Sequence, residues 1–162
     1  ARSVNPDVDI TTIYVGWMDP VAGKDAAKSM IDAGADIIWQ HADLSGLGVI
    51  EGVSEARAAG KDVLMIGNAE DQNQLGPDFI ISSNLYYHDY FVEVAYKQIK
   101  AGTFGNEVFE MGLSDGLDMI GPYHGLVPDD VAAEVNDVKN AIISGEIEVQ
   151  EIGDPPPPPG WK

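Results

Sequence analysis

The sequence predicts an α/β fold built on a mostly parallel sheet, and three observations carry that prediction. Short β-branched or aromatic runs recur along the chain, stretches with helical spacing of apolar residues stand between them, and Gly or Pro punctuates most junctions. Strands separated by helices of about 10 to 15 residues imply crossover units, and hence a parallel sheet covered on both faces.

Ile10 to Val15 reads as the first strand, bounded by Pro6 and Asp9 before it and by Gly16 to Pro20 after it. Ala22, Ala26, Met30 and Ile31 then recur at helical spacing, with Gly34 as the stop signal. Asp36 to Trp39 is a second short strand. Leu44 to Ala59 places Leu47, Ile50, Val53 and Ala58 on or near one face and ends at Gly60, the pattern of a glycine-capped helix. Asp62 to Ile66 reads as a third strand closed by Gly67, and Phe79 to Ser83 as a fourth after the Gly76-Pro77 break. Tyr90 to Lys100 is helical and stops at Gly102; Glu107 to Gly112 is a fifth strand. Pro128, followed by Asp129 and Asp130, opens a last helix that runs through Ile143 to Gly145. The five prolines Pro155 to Pro159 cannot join a ladder and mark a stiff, extended tail.

Composition narrows the function. In 162 residues there are 9 Lys plus Arg against 27 Asp plus Glu, a formal net charge of -18. The few basic residues are scattered from Arg2 to Lys162, which leaves no footprint for a phosphate backbone, and an anionic bilayer would repel the chain. No apolar run approaches the ~20 residues of a spanning helix. The absence of Cys removes disulfides and thiol or thiolate chemistry but fits a reducing and an oxidising compartment equally. A hydrophobic fraction of 44% argues for a packed core, so the acidity reads as a solvated surface rather than as disorder. Ala1 is neither an initiator Met nor the head of a signal segment, and the expectation is that something upstream has been removed.

In parallel sheets ligands sit beyond the carboxyl ends of the strands. The residues there form a coherent set: Trp17 and Asp19; Gln40, His41 and Asp43; Asn68, Glu70 and Asp71; Asn84, Tyr86, Tyr87 and His88. Aromatics, amides and carboxylates converge without a Gly-rich phosphate loop, which suits a neutral polar ligand with a flat ring. Trp17 lies in a turn, where it either stacks on such a ring or packs; Trp39 lies inside a strand and is expected in the core. Asp43 either meets ligand or caps the following helix, and Asp71 either meets ligand or stabilises a turn. His41, His88 and His124 share no ligand spacing, so no metal site is expected, and no cofactor motif is present. Gly112 and Gly116 flank Ser114 as in a nucleophile elbow, but the following Gly116 to Pro122 does not open a helix readily, so the match lacks its strand-to-helix context.

Ser3-Val4-Asn5-Pro6-Asp7, Tyr14-Val15-Gly16-Trp17 with Asp19-Pro20, Gly34-Ala35-Asp36-Ile37-Ile38 and Gly46-Leu47-Gly48-Val49-Ile50 together resemble the later half of the basic membrane protein family. The resemblance continues through Asp71-Gln72, Gly76-Pro77-Asp78, Ser82 to Tyr90, Gly102-Thr103-Phe104, Gly112-Leu113 with Asp115-Gly116, and Pro128-Asp129-Asp130-Val131. These are substrate-binding lipoproteins of ABC importers that take up nucleosides or nucleobases. The resemblance implies a type I periplasmic binding fold, two α/β lobes joined by three hinge crossings. It implies that this chain holds a three-layer, parallel-sheet second lobe without its first strand and helix, with hinge crossings to a missing first lobe. On that reading residues 1–83 are the second-lobe core, 84–105 the hinge and return helix, 106–150 the crossing back and C-terminal helix, and 151–162 the Pro-rich tail.

The resemblance also implies the site. Trp17 stands where the family stacks an aromatic on the purine, Asp71 matches an acid that receives hydroxyl or ring N–H donors, and Gln72 follows it. His41, Asp43, Asn84 and Tyr87 complete the expected ligand-binding set. Nucleoside-binding members carry a Lys shortly after the fourth strand, whereas here Asn84-Leu85-Tyr86-Tyr87-His88 has none before Lys97, which weakens the expectation of ribose recognition. Gln40-His41 and His88-Asp89-Tyr90 are similar to members that bind a free base. The implied partners are a purine nucleoside or base, an ABC permease and the missing lobe, with no nucleic acid, no cofactor and no metal. The implied place is outside the cytoplasm, membrane-attached only through a lipid anchor. An enzyme is not expected; the alternatives are a nucleoside- or ester-cleaving hydrolase using Ser114 or a carboxylate, and the ligand-sensing domain of a regulator on the same fold.

Overall fold

Asp19 starts the first helix. Its carboxylate accepts from the Ala22 N–H at 3.0 Å and Pro20 takes the first helical position, so α1 runs Pro20–Asp32. In this computed structural model, which describes residues 1–2, 4–105 and 111–149, α1 is followed by β1 (Ile37–Trp39), α2 (Ser45–Ala58), β2 (Leu64–Ala69), β3 (Ile80–Tyr86), α3 (His88–Ala101), β4 (Asp118–Ile120) and α4 (Asp129–Ile143). Short 3-10 turns sit at Asn73–Leu75 and Leu113–Asp115. The chain divides into two compact units, Ala1–Pro128 and Asp129–Lys162. In the second, Asp129 and Asp130 lie in the first turn of α4, where the free N–H groups favour negative charge.

The sheet order is β1-β2-β3-β4, with β1, β2 and β3 parallel and β4 antiparallel to β3. The α/β class and the parallel pairing are those expected. Ile38 pairs with Met65 and Gly67 with Ser83, with an irregularity between Met65 and Ile66. The core lies where α1 and α2 cover one face: Ala27 and Ile31, Val49, Ile50 and Val53, Ile38, Val63 and Met65, Phe79 and Ile80. The two helices cross closely because Gly48 presents no side chain; a Cβ there would overlap the Pro20 carbonyl.

Five expectations change. Ile10 to Val15 forms no strand: β1 has β2 as its ladder partner, no strand lies on its other edge among the described residues, and the run is left largely exposed. A β-branched sequence without a hydrogen-bonding neighbour does not make a ladder. Trp39 is 65% exposed rather than in the core, because strand alternation sends Ile38 to the helices and Trp39 to the opposite face with Ile37. Its indole N–H donates to Asn84 Oδ1 at 3.0 Å. Gly67 does not close β2, which continues to Ala69; it is a buried position whose missing side chain lets Ser83 and Gln72 approach. β3 likewise runs on to Tyr86. α3 starts two residues early and ends at Gly102, left-handed at φ 72 as the stop signal requires.

The strand expected at Glu107 to Gly112 falls mostly outside the described residues, and Met111 and Gly112 are not in a strand. The Pro-rich tail also lies outside them. β4 answers to no strand expected from the sequence. No helix among the described residues is long and apolar enough to cross a membrane.

Candidate functional site

The carboxyl ends of β1, β2 and β3 open on the same side of the first unit, as parallel pairing requires. Buried Ser45, at the start of α2, fixes what stands in front of them. Its hydroxyl donates to the Gly16 carbonyl and accepts from the Asp19 N–H at 2.8 Å, while its own N–H donates to the Trp17 carbonyl at 3.2 Å. The Gly16 to Asp19 turn is thereby fastened to α2, and Trp17 is presented from it 47% exposed.

A series of rings begins at Trp17. The indole meets His41 edge-on with centroids 6.3 Å apart, His41 lies 6.0 Å from Tyr86, and Tyr86 lies 6.1 Å from His88. Tyr86 ends β3 directly opposite Asp118 of β4. Burial and, after it, the Asp118 charge raise the Tyr86 phenol above its usual range, with a hydrogen bond to Asn84 opposing them. The phenol stays neutral at physiological pH, a hydrogen-bonding group that carries no charge into the site.

The amides beneath the rings are mutually satisfied. Buried Gln40 receives the Ala42 N–H at 3.0 Å on Oε1, and its Nε2 donates to Gln72 Oε1 at 3.0 Å. Gln72 Oε1 also accepts the Asn68 N–H at 3.1 Å, and the Gln72 N–H donates to Ser83 Oγ at 3.2 Å. Asn84 accepts from Trp39 and donates to Asn68 Oδ1 at 2.8 Å. Gln72 and Asn84 thus brace the strand ends. Tyr87 is half exposed at the head of α3, its N–H bonded to the Leu117 carbonyl at 2.9 Å.

Asp43 is exposed and does not cap α2. The N-cap is Leu44, which makes no side-chain capping bond, and the Asp43 carbonyl receives the Gly46 N–H. Asp71 does stabilise a turn: Oδ1 accepts the Asn73 N–H at 3.1 Å. It also faces His124, whose Nε2 lies 2.9 Å from Oδ2 and 3.1 Å from Oδ1. An ionised carboxylate only accepts, so Nε2 carries the proton. The sequence had given no reason to place His124 at the site, since 53 residues separate the pair.

Asp43 (φ 47), Ala69 (φ 69) and His124 (φ 52) are the non-glycine residues with left-handed backbone among the described residues, and all three belong to this end of the sheet. Such strain concentrates where geometry serves binding. Ser114 is exposed in the 3-10 turn, its hydroxyl donating to Asp115 at 3.0 Å, and the chain continues from that turn into β4 rather than into a helix. No group of three or more His, Asp or Glu that would hold a metal occurs among the described residues.

A parallel α/β unit that gathers rings, amides and carboxylates beyond its strand ends has the layout of a small-molecule-binding lobe. Residues 1–153 match the profile of the family described as ABC transporter substrate-binding protein, PnrA-like, and the chain belongs to that family. It is 32% identical to a purine-binding protein of Brucella abortus (strain 2308), over 91% of this chain and 40% of the relative. It is 31% identical to basic membrane protein A2 of Borrelia garinii subsp. bavariensis, over 91% of this chain and 44% of the relative. A solute-binding protein of an ABC transporter system from Aeropyrum pernix K1 superposes with a TM-score of 0.76 at 24% identity, covering 94% of this chain and 51% of that one. The chain therefore spans less than half the length of these curated relatives.

Proposed function

We propose that the intact protein is the substrate-binding component of an ABC importer, capturing a purine nucleoside or nucleobase in a cleft between two lobes and presenting it to a permease. The observation that carries this reading is the ring series Trp17–His41–Tyr86 at the strand ends of a chain belonging to this family. A planar base gains dispersion and quadrupole contact from an indole held in place beforehand. The name of the Brucella relative supports the purine class. On this reading residues 1–83 form the second-lobe core, 84–105 and 106–150 the crossings and helices that connect to a first lobe, and 151–162 a linker. Trp17 and His41 meet the base, Asp43, Asp71 and Tyr87 approach it from the rim, and Gln72 and Asn84 hold the floor. The work is done outside the cytoplasm by a lipid-anchored protein.

Binding proceeds without turnover. Ser114 lacks the strand-to-helix elbow and donates its proton to a neighbouring carboxylate rather than to a base positioned for catalysis. Calorimetry on the intact protein, both lobes present, is expected to show saturable heat with a purine, and chromatography of the same mixtures to return the purine unchanged. Saturation with a sugar or an amino acid and none with any purine would refute the ligand class. Products that disappear in Ser114→Ala would refute the binding role.

A further inference from the structure

His41 stands between Trp17 and Tyr86 in the ring series, yet its own side chain does not hold it there. It is exposed, its imidazole has no hydrogen-bond partner among the described residues, and it meets the two rings with centroids 6.3 and 6.0 Å away. Its backbone, by contrast, is fixed from both sides. Gln40 and Ala42 flank it and are buried, and the Gln40 side chain turns back past His41 to accept the Ala42 N–H on Oε1 at 3.0 Å. Just beyond, Asp43 takes a left-handed φ of 47 and its carbonyl receives the Gly46 N–H.

The Gln40 amide can fix this turn because its own orientation is dictated. The Ala42 N–H requires an oxygen on one side, and the Asn68 N–H requires Gln72 Oε1 on the other, at 3.1 Å. Gln40 Nε2 is then left to donate to Gln72 Oε1 at 3.0 Å, with no free choice of flip. Gln72 is tied in turn to β3 through its N–H on Ser83 Oγ at 3.2 Å. Gly46, buried near the start of α2, supplies the room, since a Cβ there would overlap the Gln40 amide. Buried amides are costly unless their bonds are made, so loss of one member leaves the others unsatisfied.

We infer that Gln40 is the positioning residue of the ring series: it holds His41 between Trp17 and Tyr86, and a flat ligand depends on it without touching it. The dependence of a ligand rests on the purine reading above; the placing of His41 does not.

The test combines NMR of the intact protein, its histidine rings labelled, with calorimetric titration against adenine, adenosine, guanine and guanosine. His41→Ala identifies the His41 signals, which ring currents displace for as long as the imidazole lies against an indole and a phenol. Gln40→Met keeps the length of the side chain but offers the Ala42 N–H no oxygen. Gly46→Ala retains Gln40, pushes its amide aside and gains helix propensity, so the two variants disturb one contact from opposite sides. In both, the His41 signals should move toward those of a solvated histidine while those of His124 stay. Purine affinity per folded molecule should fall about 3- to 10-fold, the worth of one aromatic contact. His41 signals unmoved in the folded variants overturn the inference. Moved signals with unchanged affinity overturn the link to binding, and affinity lost only in proportion to the folded fraction makes Gln40 structural and nothing more. A parent protein that binds no purine overturns the ligand reading, and the ring signals still decide the placing of His41.

Discussion

Ser45 and Trp17 form one device with separable duties. Ser45 is fully buried and its hydroxyl serves both the Gly16 carbonyl and the Asp19 N–H, so Ser45→Ala leaves two groups unpartnered and should cost about 1–3 kcal/mol of stability. Trp17, 47% exposed on the turn that Ser45 secures, should behave in the opposite way. Trp17→Ala is expected to lower purine affinity by about 1–3 kcal/mol and to move the unfolding midpoint little, with Trp17→Phe milder in both. Denaturant midpoints and affinities per folded molecule, measured on the same variants, check both statements; a large midpoint loss with unchanged affinity in Trp17→Ala makes the indole structural. Part of the candidate site was legible because topology says which residues follow parallel strands: His41 and Asp71 were named that way, whereas Trp17 was named from a strand at Ile10 to Val15 that does not form, and its turn is held in place by Ser45 instead. His124 was not, because a left-handed loop residue meeting an acid 53 positions earlier leaves no local trace. Nor was the bracing role of Gln72, which depends on a buried amide, Gln40, arriving from another strand end.

At the scale of elements, the α1–α2 pair carries the fold's tightest constraint. A Cβ at position 48 would meet the Pro20 backbone, which cannot swing aside as a side chain does, so Gly48→Ala should force the helices apart and cost about 1–3 kcal/mol or more in a thermal or denaturant melt. The exposed side of the same pair is tied by charge: Lys24 donates to Glu51 at 2.9 Å and to Glu55 at 2.6 Å, and Lys28 to Glu55 at 3.2 Å. Lys24 first and Lys28 second hold the Glu55 carboxyl below its ordinary range. A depressed folded value means the contribution is present above the usual carboxylate range and is lost as pH falls through the lowered one. Glu55→Gln should therefore show a shallower loss of stability than the parent in acid titration, and equal slopes would remove the pair from the stability balance. Helices were legible because their periodicity and glycine stops are local. Strand ends were not, since pairing decides them: Gly67 reads as a break in isolation but is a close-packing position between Ser83 and Gln72, and the three residues of β4 gain their state only from the edge of β3.

For the whole molecule, the chain is strongly acidic and one sheet end gathers a series of aromatic rings. The net charge of -18 disfavours polyanionic partners. The chain covers 40% and 44% of two curated relatives, and on the proposed reading closure over a ligand belongs to the intact protein, where a second lobe would complete the cavity. Within this chain there is also a hollow of about 150 Å³ between α1 and α2, lined by Lys28, Ile31, Glu55, Ala56 and Lys61, beside the helix ends that lead into the strands. It lies at the other end of the sheet from the ring series. A crystal structure of the intact protein with a bound purine distinguishes the two directly. The ring should lie in van der Waals contact with the Trp17 indole, beyond the carboxyl ends of β1 and β3 and within reach of His41 and Tyr86. A purine seated in the α1–α2 hollow, or held by the other lobe with Trp17 left in solvent, would contradict the assignment.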